Sequence, residues 1–397
     1  MRDELLSLPW VGGALDLPFW ALVVVTLLAM HITVMGVTLY LHRDATHRGL
    51  DLHPVVRHFF RFWLWMTTAM QTKEWVAVHR KHHAKCETDE DPHSPVKLGL
   101  KRVLLEGAEL YSVEADKPET LETYGRGTPT DWVERNLYSK FPIMGVSILL
   151  VVNLVMFGVL GLTMWALQMI TIPVLAAGVI NGLGHHTGYR TFECKDAATN
   201  VMPWGVLMGG EELHNNHHAF PSSAKFALRK YEFDIGWVYI KALSAVGLAT
   251  VRRVAPTPNE ALLPGSLELD NVKAIILARL HVLREYTRSV TLPELKEECA
   301  AMGERFNARL KQVFVREGSL LDSAGKERLQ AYLERSERLK RVHEFRLKLQ
   351  GLWESSTASN DKLVQQFKDW VKEAEHSGIR SLEQFAERLK GYQLQPA

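Results

Sequence analysis

Residues 141–189 read FPIMGVSILLVVNLVMFGVLGLTMWALQMITIPVLAAGVINGLGHHTGY, 49 positions without Asp, Glu, Lys or Arg. At about 1.5 Å per residue, a helix of that length runs to about 73 Å, enough for two passes through a hydrocarbon core of about 30 Å and too long for one. Gly158 and Gly161 mark the natural turn. Crossings are therefore expected over about 141–160 and 162–183, with Pro173 kinking the second. Upstream, residues 17–41 carry no charge for 25 positions and predict a further crossing. That run is too long for a signal peptide, and Tyr40-Leu41-His42-Arg43 is no small-residue cleavage site, so the segment is expected to be retained. Only about 16 residues precede it, too few and too broken for a fourth span. Between the crossings lie residues 55–78, containing FFRFWLWMTTAM but interrupted by Arg57, His58, Arg61, Lys73 and Glu74. Charges are costly in hydrocarbon, and Phe59, Trp63 and Trp65 sit beside basic residues, so one helix lying in the membrane interface is predicted there.

The two ends of the chain differ in character. Residues 1–254 carry 24 basic and 24 acidic groups, about 19% of positions; residues 255–397 carry 23 and 21, about 31%. The change falls at APTPNEALLPGS, a Pro-rich connector, and residues 255–270 are assigned as a linker. Beyond it, residues 271–397 repeat apolar positions three and four apart and predict a soluble, all-helical appendage. A formal charge of +2 leaves no excess to hold nucleic acid, and no nucleic-acid partner is expected.

Histidine dominates the polar stretches of the first part. The chain has 17 His and 3 Cys, and Cys86, Cys194 and Cys299 form no close pair of the kind that holds zinc or an iron-sulfur cluster. HRDATH supplies His42 and His47, HRKHH supplies His79, His82 and His83, HNNHH supplies His214, His217 and His218, and NGLGHH supplies Asn181, His185 and His186. On a helix, steps of three and four residues return to one face, so each H-x-x-H-H triplet presents its imidazoles to one small volume. Eight such histidines and His185 are too many for one ion of four to six ligands and suit two. A single histidine is usually a satisfied core or interface residue, and His31, His53, His58, His93, His281, His343 and His376 are read in that way. Imidazole alone does not choose the metal. Placement beside a long apolar interior suits a reaction on a lipid chain, and attack on an inert C–H bond needs a redox metal with O2, which favours iron.

All ligands of one centre must lie on one side of the membrane. With residues 55–78 crossing zero times and the hairpin crossing twice, every histidine group returns to the same compartment. Arg43, Arg48, Arg80, Lys81, Arg190, Arg252 and Arg253 share it, so the positive-inside tendency assigns the boxes and the C-terminus to the cytoplasm, with a periplasmic N-terminus. The expected class is an all-α integral membrane protein whose cytoplasmic helical cap carries the histidine site, over residues 1–254, followed by the soluble appendage.

HRDATH, HRKHHAKCETDEDPHS, NGLGHHTGYR and GEELHNNHHAFP resemble the histidine boxes of membrane fatty acyl desaturases, the group that contains stearoyl-CoA desaturase and its bacterial relatives. The resemblance covers about residues 17–254 and includes box order, spacing and the flanking ETDEDPH and GYR. It implies that His42, His47, His79, His82, His83, His185, His214, His217 and His218 bind two irons, and that Asn181 holds a water on one of them. It gives His186 no role. It also implies O2-dependent removal of two hydrogens from adjacent methylenes of an acyl-CoA or phospholipid-bound chain, in a bacterial inner membrane. The chain has no flavin or nicotinamide glycine fingerprint, no cysteine cluster and no cytochrome b5 signature. Two electrons are therefore expected from a ferredoxin-like protein or a flavin/iron-sulfur NAD(P)H reductase.

Glu87, Asp89 and Asp91 are candidates to steady the ligands, with a solvated acidic loop as the plain alternative. The appendage has three candidate uses: docking the donor, binding the headgroup or joining chains into an oligomer. Related histidine-box hydroxylases acting on alkyl, sterol or carotenoid substrates share the metal chemistry, but ETDEDPH and GYR favour desaturation. A membrane metal carrier or sensor would want polar groups inside the spans, where the sequence offers only His31, Asn153, Gln168 and hydroxyls.

Overall fold

The computed structural model describes residues 12–259, 266–354 and 359–395. It divides into two compact units, Met1–Arg190 with Asp196–Ala255, and Thr191–Lys195 with Pro256–Ala397.

In the first unit, α1 runs unbroken over Phe19–Thr46. Its 28 residues span about 42 Å, so it outruns the charge-free stretch and carries His42, Arg43 and Asp44 beyond hydrocarbon depth. Phe19, Trp20, Leu27 and Leu28 stay exposed, while Leu39, Tyr40 and Leu41 near the other end are buried. That contrast fits a helix lipid-facing at one end and packed in protein at the other.

The hairpin forms, with unequal arms. Its first arm, α6, spans Pro142–Phe157, and its 16 residues reach only about 24 Å, short of a typical hydrocarbon core. Gly158, at φ +64°, reverses the chain into α7, Val159–Leu183, whose 25 residues suffice to cross. Pro173 does not break α7. The helix widens into π geometry over Pro173–Ile180, which absorbs the missing proline N–H without ending the helix.

The single interfacial helix expected over 55–78 is two helices, α2 at Pro54–Thr68 and α3 at Thr72–Lys85. Ala69 ends α2 in the left-handed conformation, φ +58°, and the chain restarts in a new direction. Periodicity across the turn hid this break. Helices α4 (Leu100–Ala115) and α5 (Pro118–Tyr124) follow; α4 packs against the π segment of α7 and α5 against α3. The short α8 (His214–Ala219) and α9 (Ile235–Ala245) complete the unit. Two small sheets accompany the helices of this all-α unit: β1 (Leu50–Leu52) pairs antiparallel with β4 (Ala249–Val251), and β2 (Trp204–Gly205) pairs parallel with β3 (Phe233–Asp234).

One buried ion pair ties these parts together. Arg43 on α1 is 1% exposed; its two Nη atoms donate to both oxygens of Asp234 at 3.0 and 3.1 Å, and to the carbonyls of Ala224 and Gly209 at 2.9 Å. Asp234 also caps α9 by accepting from the Trp237 N–H.

The second unit is helical from Leu269 to Lys390 across its described residues, with its core around Val272, Ile275, Tyr286, Phe367, Trp370 and Phe385. Residues 257–259 do not hang free as a linker: Thr257 and Asn259 exchange backbone hydrogen bonds with Gln395 and Gln393. Residues 260–265 of the expected linker lie outside the described residues.

Arg43→Ala strands the Asp234 carboxylate in the interior. The loss should be about 3–5 kcal/mol, read as a fall in the thermal unfolding midpoint in detergent. An unchanged midpoint would remove this pair from its central place.

Candidate metal centre

The site lies where α1, α3, α7 and α8 end or begin together. Box one needs an explanation, because residues five apart on an α-helix point about 140° away from each other. The last eleven residues of α1, Gly36–Thr46, are π-helical, and the His47 N–H closes onto the His42 carbonyl at 3.1 Å. An i→i+5 hydrogen bond brings residues five apart onto nearly the same face. His42 and His47 thus lie with ring centroids 4.9 Å apart. The triplets on α3 and α8 use ordinary helical spacing, and His185 follows directly on the end of α7.

The nine histidines converge into two groups, five and four strong. His42, His47, His79, His83 and His217 form one; His82, His185, His214 and His218 form the other. In the first, Nε2 atoms approach at 3.1 Å (His42 to His217), 2.9 Å (His217 to His83), 3.2 Å (His83 to His79) and 3.1 Å (His79 to His47). In the second, His185 Nε2 lies 3.1 Å from His82 Nε2 and 2.9 Å from His214 Nε2. Asn181 lines a cavity together with His42, His79 and His214. His186 is exposed, and its ring lies 2.7 Å from the Thr187 hydroxyl rather than in either group.

Four carboxylates stand behind the rings. Glu211 lies 2.7 Å from Nδ1 of His42, Asp91 2.9 Å from Nδ1 of His82, Glu87 2.9 Å from Nδ1 of His185, and Asp196 3.2 Å from Nδ1 of His218. Of the acidic candidates read from sequence, Glu87 and Asp91 take this position and Asp89 does not: it pairs with Lys97 on the surface, 93% exposed. Glu211 and Asp196 were missed. Glu211 stands three residues before His214 in GEELH, and Asp196 comes from a loop whose path no spacing foretells.

These carboxylates decide where the protons sit. An imidazole that donates from Nδ1 to a carboxylate presents a bare lone pair at Nε2. His82 and His185 both do so, yet their Nε2 atoms are 3.1 Å apart. Two lone pairs at that distance repel unless a cation lies between them. Burial and the surrounding imidazoles push His79, His83, His214, His217 and His218 well below the usual imidazole range, and burial with His42 and Arg80 does the same to His47. At His82 burial acts in the same direction, but Asp91 outweighs it and the net shift is upward. Protons are therefore poor occupants of most of this space, and a metal ion suits it. With a metal–nitrogen distance near 2.1 Å, donors at right angles lie about 3.0 Å apart and tetrahedral donors about 3.4 Å apart. The observed 2.9 to 3.2 Å is short enough for neighbouring nitrogens to share one ion.

The asparagines of HNNHH hold the box in place. Asn216 donates to Glu232 at 2.8 Å and to the Phe226 carbonyl at 2.9 Å, and Asn215 donates to the Ala198 carbonyl at 3.0 Å. Beside the cage lie two cavities that share Trp75, His79, Ile172, Ala176 and Asn181. One is walled mainly by Val34, Val37, Ile172, Leu175, Ile180 and Met208; the other encloses about 320 Å³ and reaches Glu74 and Tyr111.

The family model described as fatty acid desaturase matches residues 18–238, and one described as transposase matches residues 270–395, within the helical appendage. The chain is 31% identical over 235 residues to a delta-9 acyl-lipid desaturase 1 of Arabidopsis thaliana, covering 58% of this chain and 75% of that protein. It is 31% identical over 242 residues to an sn-1 stearoyl-lipid 9-desaturase of Anabaena variabilis, covering 59% and 85%. To an icosanoyl-CoA 5-desaturase of Limnanthes douglasii it is 30% identical over 226 residues, covering 55% and 60%.

Two measurements test the cage. Asp91→Asn and Glu87→Gln should each weaken metal retention about 10- to 100-fold, read by elemental analysis after dialysis against a chelator; retention equal to wild type would make these carboxylates bystanders. The metal-free protein should lose stability as pH falls below about 6.5, because the unfolded chain then takes up protons that six depressed histidines refuse in the folded state. A thermal midpoint flat between pH 7 and 5 would contradict this.

Proposed function

The chain belongs to the fatty acid desaturase family, and from that premise we propose that it introduces a cis double bond into a saturated acyl chain, with O2 and two external electrons, at a centre of two irons. The observation that carries the reading is the pair of converging imidazole groups beside an apolar cavity. His42, His47, His79, His83 and His217 would hold one iron; His82, His185, His214 and His218, with Asn181 through a water, would hold the other. When bound, the irons supply the O2 chemistry that removes a hydrogen from each of two neighbouring methylenes. The balance is –CH2–CH2– + O2 + 2 electrons + 2 H+ giving –CH=CH– + 2 H2O.

The protein's own part is positional. Glu87, Asp91, Asp196 and Glu211 orient the imidazoles and keep Nε2 free of protons. Val34, Val37, Ile172 and Leu175 line an apolar cavity against the histidines, a surrounding that suits methylenes rather than the carboxyl end of a chain. Burial of the cage excludes water that would otherwise compete for the oxidant. The electrons come from a ferredoxin-like protein or a flavin/iron-sulfur NAD(P)H reductase docking on the histidine side, which we place in the cytoplasm of a bacterium. The appendage, with 23 basic and 21 acidic groups over residues 255–397, has no charge excess suited to nucleic acid, and we read it as a helical scaffold for assembly or donor docking.

Expression in a host that lacks unsaturated fatty acids should yield a new cis-monoene, and His217→Ala should abolish it at unchanged protein level. A hydroxylated chain without alkene would turn the reading to a hydroxylase. Val37→Phe, which fills the apolar cavity, should shift the products toward shorter chains; an unchanged distribution would place the methyl end elsewhere.

A further inference from the structure

The first unit has an apolar face that neither the cage nor the hairpin uses. Trp204 is 64% exposed and Leu207 66%, with Val206, Tyr231 and Phe233 beside them in the β2 and β3 segments, and Val238, Tyr239 and Val246 on and after α9. In water, a patch of this size is a liability. Its depth is given by one contact: the Tyr239 hydroxyl meets His31 Nε2 at 3.0 Å. His31 lies eleven residues before His42 on the unbroken α1, about 16 Å toward the far side of the membrane from the cage. The outer face of α9 is therefore level with hydrocarbon. Tyr239 also gives a partner to the one imidazole inside a crossing, a group that is otherwise expensive there.

The same segment is cationic at its margin. Residues 225–253 hold six basic and two acidic side chains, Lys225, Arg229, Lys230, Lys241, Arg252 and Arg253 against Glu232 and Asp234. Both acids are turned inward: Glu232 accepts from the Leu228 and Arg229 N–H groups, and Asp234 holds Arg43. Of the cations, Lys230 and Arg253 are exposed at the two flanks of the segment, where they suit the phosphates of a lipid headgroup layer, while Arg252 pairs with Asp51 and Lys241 reaches toward that layer from α9 along its apolar stem.

At this face, adjacent residues of one segment point in opposite directions. Met208, 6% exposed, lines the apolar cavity, and its neighbour Leu207 faces outward. The backbone here is anchored: Glu212 accepts from the N–H groups of Met208 and Gly210, and Gly209, at φ +71°, lies so close to Thr38 that a Cβ would stand 2.7 Å from its methyl. The part free to move is the unbranched Met208 side chain.

We propose that residues 204–207, Phe233 and the outer face of α9 lie in the bilayer leaflet on the histidine side, and that Met208 closes a side door through which an acyl chain still esterified to a phospholipid enters the apolar cavity. The proposal rests on the desaturase reading and narrows its substrate to lipid-bound chains.

The test uses the full-length, iron-loaded protein in vesicles of 1-stearoyl-2-oleoyl-phosphatidylglycerol, with reduced ferredoxin as donor and stearoyl-CoA in a parallel arm. Lipids brominated on the acyl chain should quench Trp204, seen as a loss of quenching in Trp204→Phe relative to wild type. Leu207→Glu should lower desaturation of the phospholipid chain at least about tenfold, with metal content unchanged. Equal quenching in wild type and Trp204→Phe overturns the membrane face, and full phospholipid activity in Leu207→Glu overturns the door. Alkene from stearoyl-CoA alone also overturns the door while leaving the desaturase reading intact. Alkene from neither substrate by fully loaded protein defeats that reading instead, and the quenching result then still decides the face.

Discussion

Facing imidazole nitrogens, set 2.9 to 3.2 Å apart in a space largely closed to water and with bare lone pairs opposed at His82 and His185, are the constraint from which the rest of the first unit follows. Such an arrangement is unstable without positive charge at its centre, and burial with neighbouring imidazoles makes protons a poor source of it. A metal resolves the conflict only if the donors are held before it arrives. Each of four rings is accordingly pinned from behind by a carboxylate, and Asn215 and Asn216 pin the backbone of the third box. Arg43 and Asp234, both fully buried and paired through the two Nη atoms, lock the end of α1 to the segments that surround the cage.

The helices that deliver the ligands are bent to the same purpose. Two of them, α1 and α7, leave α geometry as they approach the site, over Gly36–Thr46 and Pro173–Ile180. Such wide turns are rare and occur often at functional sites. In α1 the change turns a spacing of five, which scatters residues on an ordinary helix, into a pair on one face. In α7 it lets Pro173 sit within a helix that must continue to Asn181 and His185. The break at Ala69 acts in a similar way, since it redirects α3 so that His79, His82 and His83 face the other boxes.

Much of this architecture was readable because it rests on local chemistry. Charge-free runs announce membrane helices, since hydrocarbon offers no partner for a charge. Histidines three and four apart announce a shared face by helical geometry alone. Glu87 and Asp91 stood close to their triplet and were candidates for that reason. Asp89, equally close, points to solvent toward Lys97, which proximity in sequence could not distinguish. Asp196 and Glu211 act across long loops on rings they are not paired with by any spacing, and His31 gains its meaning only from Tyr239, 208 residues away.

The sequence by itself determined which residues carry chemistry and which segments are apolar, because residue type and helical periodicity are properties of neighbours along the chain. It also determined that nine histidines are too many for one ion. Tertiary structure decided how they divide into five and four, which carboxylate orients which ring, and that α1 closes in π rather than α geometry. It also decided that Tyr239 on α9 meets His31 inside the first apolar helix. These depend on distances between segments far apart in sequence, where a change of one turn in a helix end redirects a side chain by more than the width of a coordination site.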